Sequence, residues 1–419
     1  MAKILISPIG VGGRFKNAET HDREYLDTVY KIQDKSYPKS RFMASVLYEH
    51  FDLDGIIFIG TVKSMWEEVY RFFCQKNKVM IEEDYWYNLA ITIDSLNHES
   101  ELQCLNLSKI RTVIGSRSEC ILIKYGLNES ELWENFERII KIVDFLQKGD
   151  KLYIDITHSF RSLSLFLFLA LTFINDLVAE KEIEIVGVYY GMLDISRELG
   201  YTPVVDLKPL FDMTSWIKGA YSLKSYGDGH LIAKLLKAQG EEKLASQIEQ
   251  LSEAVNLNYV TAIKQRSSTL KNVLQTPVPN SPFSYLRENL EDFVKKFARS
   301  SAEDYEYQLE LAGWYFDNKR YATGYITLTE AIVTYLCDIH DKDPRSEELR
   351  NEMKDFLLNK HGDSKLAMLY RKVNSIRISV AHALLEQKRN STSDIDAINN
   401  AKLYQQEAQR IFKTKTLSY

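Results

Sequence analysis

Residues 151–174, KLYIDITHSFRSLSLFLFLALTFI, constrain the fold more than any other stretch: an apolar run breaks into a polar cluster and resumes as a longer apolar run. Leu152, Tyr153, Ile154 and Ile156 predict a buried strand, and 163–174 is long enough for a helix packed against it. Between them lies Asp155-Ile156-Thr157-His158-Ser159-Phe160-Arg161-Ser162. A strand that runs straight into a helix leaves unpaired amides at the helix start, where the helix dipole is positive and anions are favoured. Taken singly, Thr157 or Ser159 would cap the helix and Asp155 would be tied to backbone amides. Taken together, at the carboxyl end of a strand where open α/β sheets bind ligands, Thr157, His158, Ser159 and Arg161 predict an anion-binding site.

Two other strand ends share this chemistry. A strand over 3–7 leads into Pro8-Ile9-Gly10-Val11-Gly12-Gly13-Arg14. Gly10, Gly12 and Gly13 allow close backbone approach to a ligand, and Arg14 suits a phosphate. The spacing matches neither the Rossmann dinucleotide fingerprint nor a P-loop, and by itself the turn is no more than a strand-end loop. A strand over 55–59 leads into Gly60-Thr61-Val62-Lys63-Ser64-Met65-Trp66, with Thr61 and Ser64 placed before a helix over 65–77. A helical stretch near 41–49 and strands over 120–124 and 183–190 complete an alternating pattern. That alternation predicts a doubly wound, largely parallel Rossmann-like sheet over about the first 210 residues.

From residue 228 the periodicity becomes helical throughout. Helices are predicted over 301–316, 321–339, 346–359, 364–387 and 393–412, with Ser346 and Ser364 as caps. Residues 276–282, TPVPNSP, form a rigid connector. The fold class is therefore α/β followed by all-α, with domains at 1–212, 213–282 (a linking helical region) and 283–419. A net charge of −5 disfavours a protein coated in basic residues to grip duplex DNA, while allowing a local basic groove. The four cysteines have no CxxC spacing, so reduced thiols in a cytoplasmic protein are expected. The longest apolar stretch is too short to span a bilayer, the amino terminus lacks a signal-peptide pattern, and neither HxxxH nor HExxH occurs, so neither membrane nor metal is expected.

Asp155, Thr157 and His158 resemble the DxTHG-type motif of CRISPR-associated Rossmann-like proteins that carry CARF domains, with Ser159 in place of the usual glycine. Residues 60–66, GTVKSMW, and 200–216, GYTPVVDLKPLFDMTSW, look like further stretches of the TM1812-type Csx1 and Csx2 family. In the 364–387 helix, Arg377 and His382 resemble the RxxxxH signature of HEPN ribonucleases, with Ile378 where many members carry a polar residue. A CARF half followed by a HEPN half is similar to the Csx1 and Csm6 effectors. The resemblance implies a type III CRISPR accessory effector. Its first half would bind a cyclic oligoadenylate, with cyclic tetra-adenylate as the allosteric activator, through Gly10, Gly12, Gly13, Arg14, Thr61, Ser64, Thr157, His158, Ser159 and Arg161. Its second half would cleave single-stranded RNA with Arg377 and His382, leaving 2′,3′-cyclic phosphate ends and using no cofactor.

Such cleavage needs no metal if the RNA's own 2′-hydroxyl attacks the neighbouring phosphorus. An imidazole moves protons near neutral pH, and a guanidinium holds the non-bridging oxygens. Five residues along a helix advance about 7.5 Å and turn about 140° beyond a full turn, so Arg377 and His382 do not share one stripe. A homodimer, or a larger assembly of dimers, would bring two copies of each into one cleft. Arg371, Lys372, Lys388 and Arg389 are either positive potential for RNA or a solvated face. Two alternatives stay open: a ring nuclease that cuts its activator with His158, Thr157 or Arg161, and a catalytically dead ligand-responsive regulator, for which Ile378 speaks.

Overall fold

A computed structural model describes residues 1–14, 23–158, 161–275, 281–299, 302–382 and 393–418, with backbone alone at 13, 14, 23, 24, 161, 179 and 289. Most of the expected connector at 276–282 lies outside the described residues. The chain forms two compact units, Met1–Thr214 and Ser215–Tyr419, and the division falls within the helix Lys208–Tyr226.

The first unit is built on eight strands: β1 (Lys3–Ile9), β2 (Tyr30–Ile32), β3 (Lys35–Ser36), β4 (Gly55–Gly60), β5 (Glu119–Leu122), β6 (Lys151–Asp155), β7 (Glu184–Gly191) and β8 (Thr202–Asp206). Their order across the sheet is β3-β2-β8-β7-β6-β1-β4-β5. The five from β7 to β5 are all parallel. Each central strand is apolar on both sides because both faces are covered, as parallel sheets require. On one face Leu5, Ile56, Phe58 and Tyr153 pack with Met43 and Leu47 of α1 (Met43–Phe51) and with Trp66, Val69 and Phe73 of α2 (Trp66–Lys76). On the other, Ile4, Ile6, Ile57, Ile59, Leu152 and Ile154 pack with Ile139 of α3 (Glu129–Ile140) and with Leu163, Leu167 and Leu171 of α4 (Arg161–Leu177). At about 1.5–3 kcal/mol for each fully buried aliphatic side chain, these two layers are the main source of the unit's stability.

The doubly wound Rossmann-like sheet expected from the sequence is therefore present, with one difference at its margin. There β8 runs antiparallel to β7, and β3 runs antiparallel to β2. These marginal strands are only two to five residues long and carry Lys31, Lys35 and Pro203, so their periodicity is too brief to read from the sequence.

The described part of the second unit is all-helical. Its larger core joins α5 (Asp304–Asp317), α6 (Tyr321–Asp338), α7 (Glu347–Asp355), α8 (Lys365–Ala381) and α9 (Asp394–Phe412) through Tyr305, Leu328, Ile332, Tyr335, Met353, Leu369, Val373, Ile376 and Phe412. Ser346 and Ser364 cap α7 and α8 as expected, their hydroxyls accepting from the amides of Leu349 and Ala367 at 3.3 and 3.2 Å. Apart from Met213 and Thr214, the expected segments 213–282 and 283–419 both fall within this unit, and Tyr315 Oη donates to the Val255 carbonyl at 3.0 Å. The Lys365 amide donates to the Ser418 carbonyl, and Tyr335 Oη donates to the Thr416 carbonyl. The start of α8 thus lies near the end of α6, and α8 runs back along α6 toward that helix's start.

Candidate functional site

The strands β4 and β5 lie on one side of β1, and β6 and β7 on the other. The crevice above the carboxyl ends of β1 and β6 is therefore the point where the strand order reverses, the usual ligand position in an open α/β sheet. Ser7 of β1 donates its hydroxyl to Asp155 Oδ2 at 2.8 Å, and the Thr157 amide donates to Asp155 Oδ1 at 2.8 Å. Asp155 is 0% exposed; burial raises its pKa while the bonds from Thr157 and Ser7 pull it down. Its role is to fix the turn that presents Thr157 and His158.

The glycine turn after β1 is held against the turn after β4. The Met65 amide donates to the Gly10 carbonyl at 3.1 Å, and Ser64 Oγ donates to the Ile9 carbonyl at 2.7 Å. Gly12 has φ +67°, and a Cβ there would lie 2.0 Å from Met65 Sδ; at Gly10 a Cβ would lie 2.9 Å from the His158 carbonyl oxygen. Both positions accept only glycine at this closeness.

Thr61 and Ser64 require a correction as ligand donors, for they are 1% and 0% exposed. Ser64 Oγ also accepts from the Thr61 amide at 2.9 Å, so the two residues build the turn from within. Thr157 Oγ1 accepts from the Gly191 amide at 2.9 Å, which joins β6 to β7. Gly13 lies in a two-stranded ribbon with Glu24 opposite, and Arg14 pairs there with Arg23. Ser159 and the side chains of Arg14 and Arg161 lie outside the described residues.

His158 lies flat against Tyr25, with ring centroids 3.9 Å apart and planes 10° apart. Its Nε2 is out of solvent and has no hydrogen-bond partner among the described residues, and burial pushes its pKa down to about 3. Tyr30 Oη is a second buried polar atom without a hydrogen-bond partner among the described residues. Its phenol is held well above its usual pKa, first by burial and then by the Asp155 carboxylate. Two orphaned polar atoms at one strand-end crevice are uncommon in a folded core and fit a site that completes its hydrogen bonds on binding. Sequence reasoning missed Ser7, Tyr25 and Tyr30. Ser7 lies in the strand that leads into the first glycine turn, and Tyr25 and Tyr30 lie well beyond that turn, with no local motif to mark them.

The structure thus brings Gly10, Gly12, Thr61, Ser64, Thr157 and His158 to one end of the sheet. Cavities also lie elsewhere among the described residues of this unit. One of about 700 Å³ runs beside β5, and an apolar groove of about 630 Å³ lies between α3 and α4. Among the described residues, no group of three His, Cys, Asp or Glu side chains could hold a metal, and no helix is long and apolar enough to cross a membrane.

In the second unit the helix expected over 364–387 ends at Ala381, and His382 is its C-cap, with φ −122° and its amide donating to the Ile378 carbonyl at 2.9 Å. His382 is exposed and Arg377 half-buried. The Arg377 charge is felt at Tyr370, whose phenol is raised first by burial and then by Glu330, with Arg377 and Arg350 opposing. Arg371 donates to the Gly362 carbonyl at 2.8 Å, so it serves partly to close the α8 entry turn. Lys388 and Arg389 lie outside the described residues.

Comparison with known proteins follows the same division. Residues 4–194 match the model of the CARF domain of CRISPR system endoribonuclease Csx1, and residues 212–303 match the second domain of CRISPR-associated protein MJ1674. The chain is 34% identical over 424 residues to CRISPR-associated protein MJ1674 of Methanocaldococcus jannaschii, a match covering 96% of this chain and 66% of that protein's length. Among solved structures it is similar to Enterococcus italicus Csm6 bound to cyclic hexa-2′-fluoro-hexa-dAMP, with a TM-score of 0.39 and 14% identity over 99% of this chain and 95% of that one. With a Csx1-type CARF domain laid on the switch-point sheet and a CRISPR-associated relative aligned along nearly its whole length, the chain belongs to the CARF-containing CRISPR-associated proteins.

Proposed function

We propose that this chain is a type III CRISPR accessory effector, a metal-independent endoribonuclease of single-stranded RNA switched on by a cyclic oligoadenylate. The observation that carries the reading is the strand-end crevice, where closely apposed glycine backbone, a neutral imidazole and two orphaned polar atoms meet at the switch point of a CARF sheet. Backbone amides would take the ring's phosphates and the imidazole face would take a base. The CARF domain model that matches residues 4–194 is that of an endoribonuclease, which supports the same reading.

Arg377 and His382 are its catalytic pair, the guanidinium for the phosphorane oxygens and the imidazole for proton transfer. Their separation on α8 calls for a twofold mate. A surface suited to that mate is the outer face of α4, where Leu165, Leu169, Phe173 and Leu177 recur every fourth residue and are exposed, beside exposed Trp133 of α3. Because α4 follows the His158 turn, a second copy on this face would set two crevices close together for one cyclic ligand. Activation is then a population shift: the ring binds the RNase-competent dimer more tightly than the resting one.

The test is cleavage of a fluorescent single-stranded RNA with cyclic tri-, tetra- and hexa-adenylate, each with excess chelator. Cleavage with one ring and none without it is expected. Activity independent of every ring removes the switch, and binding without cleavage leaves a regulator. Following ring length in the same samples detects a ring nuclease.

A further inference from the structure

The strand-end crevice already contains a group that mimics its ligand. Tyr25 enters from the residues that follow the two-stranded ribbon. Its ring lies flat on His158 at 3.9 Å and 10°, the geometry a stacked nucleobase adopts. Its Oη accepts the Gly10 N–H at 2.6 Å. Gly10 is the first amide beyond β1, in the turn where a phosphate oxygen would be received. One side chain thus covers the aromatic face and the hydrogen-bond donor together. Phe42, edge-on to Tyr25 at 5.4 Å and 80°, supports the ring from a second side.

We propose that Tyr25 is an internal competitor for the nucleotide ligand: its ring stands in for a base on His158 and its phenol oxygen for a phosphate oxygen on Gly10, and both must leave when ligand binds. The inference rests on the nucleotide reading of this crevice. It follows that ligand binding displaces Tyr25, and through it the ribbon strand that ends at Glu24. Tyr25 sets the affinity threshold for activation by holding the crevice in its ligand-free state. A ligand lacking either part of the mimicry, a bare phosphate or a free nucleobase, displaces only half of the contacts and binds poorly.

The experiment measures equilibrium and kinetic binding of fluorescent cyclic tri-, tetra- and hexa-adenylate to the full chain and to Tyr25→Phe and Tyr25→Ala. Loss of the phenol oxygen frees the Gly10 amide while the stack persists, so Tyr25→Phe should bind roughly 2- to 10-fold more tightly, mostly through faster association, as expected for removing one neutral hydrogen bond. Tyr25→Ala should associate faster still. Amide hydrogen exchange at Gly10 supplies an independent readout. It should be slow in the unaltered protein, fast in ligand-free Tyr25→Phe and slow again when that variant is loaded with the ring. Weaker or unchanged binding by Tyr25→Phe overturns the inference, because Tyr25 would then contact the bound ring or play only a structural part. If the unaltered protein and both variants bind no ring, the nucleotide reading itself fails and the inference falls with it. If only the variants bind a ring, the competition is confirmed.

Discussion

Ser7 donates its hydroxyl to Asp155 at 2.8 Å across the junction of β1 and β6, so the two strands that flank the strand-end crevice are locked by a bond sealed from solvent. Removing the hydroxyl leaves a buried carboxyl oxygen unsatisfied, and Ser7→Ala should cost about 1–3 kcal/mol. The folded pKa of Asp155 is raised, so the fold favours its protonated form. Its contribution is most favourable below the unfolded carboxyl pKa and diminishes as pH rises through the folded one. Asp155→Asn keeps the hydrogen-bonding shape without the charge. Its stability relative to the unaltered protein should therefore rise between pH 4 and pH 7 in urea denaturation; the opposite slope would mean that the buried group is held as an anion.

Gly12→Ala tests the closeness of the two glycine turns. The left-handed φ and the 2.0 Å approach to Met65 Sδ act together, so a methyl group must either displace Met65 or strain the turn. The expected cost is about 1–3 kcal/mol, with weaker ring binding. Gly12→Ala combined with Met65→Ala should recover part of the stability, since the clash is with one flexible side chain; no recovery would assign the cost to φ alone.

The central sheet was legible because strands buried on both faces become unbroken apolar runs, as in Leu152–Ile154 and Ile56–Ile59, and each ends in a glycine or hydroxyl turn. Sequence also located Thr157 and His158 correctly at a strand end. It misassigned Thr61 and Ser64 because a hydroxyl beside a helix start looks alike whether it faces a ligand or the turn's own backbone; burial decides, and burial is not written locally. Tyr25 and Tyr30 were invisible for a related reason. Tyr25 follows the separate two-stranded ribbon, and Tyr30 reaches the crevice through a short strand at the sheet's margin, whose pairing depends on residues some 170 positions away, as in Tyr30 opposite Thr202.

His158 should remain neutral through the physiological range. Burial depresses its folded pKa to about 3 from an ordinary 6.5, so this group's support for the fold is complete above pH 6.5 and is lost as pH falls toward 3. Ring affinity measured between pH 5 and 8 should accordingly show no titration from His158. His158→Phe, which preserves the stacking face, should bind within severalfold of the unaltered protein. A pH midpoint near 6 that disappears in His158→Phe would mean that the imidazole becomes a cation against the ring's phosphates.

The α4 stripe offers a direct test of assembly. Leu165 and Leu169 are 63% and 50% exposed on one face. If a second copy covers them, replacing both with glutamate removes about 1.5–3 kcal/mol of apolar burial for each and adds facing like charges. The dimer dissociation constant should rise at least about tenfold for each 1.4 kcal/mol lost, read by analytical ultracentrifugation, with RNase activity falling in parallel. An unchanged sedimentation profile would place the twofold contact elsewhere.

The most discriminating variants lie at the end of α8. His382 is solvent-facing and terminates the helix, so His382→Ala should leave folding almost unchanged while lowering ring-activated RNA cleavage by roughly 10²–10⁴-fold, the usual worth of a general acid or base. Arg377→Lys keeps the charge but loses the planar fork, and should fall by roughly 10²-fold in kcat if the guanidinium holds phosphorane oxygens. Ring affinity should stay within about twofold in both, since neither residue belongs to the crevice. RNA with a 2′-deoxy substitution at the cleaved position should resist the unaltered enzyme, because the attacking hydroxyl is then missing. Full activity in His382→Ala would remove His382 from the mechanism, and cutting of the deoxy substrate would require a nucleophile other than the 2′-hydroxyl.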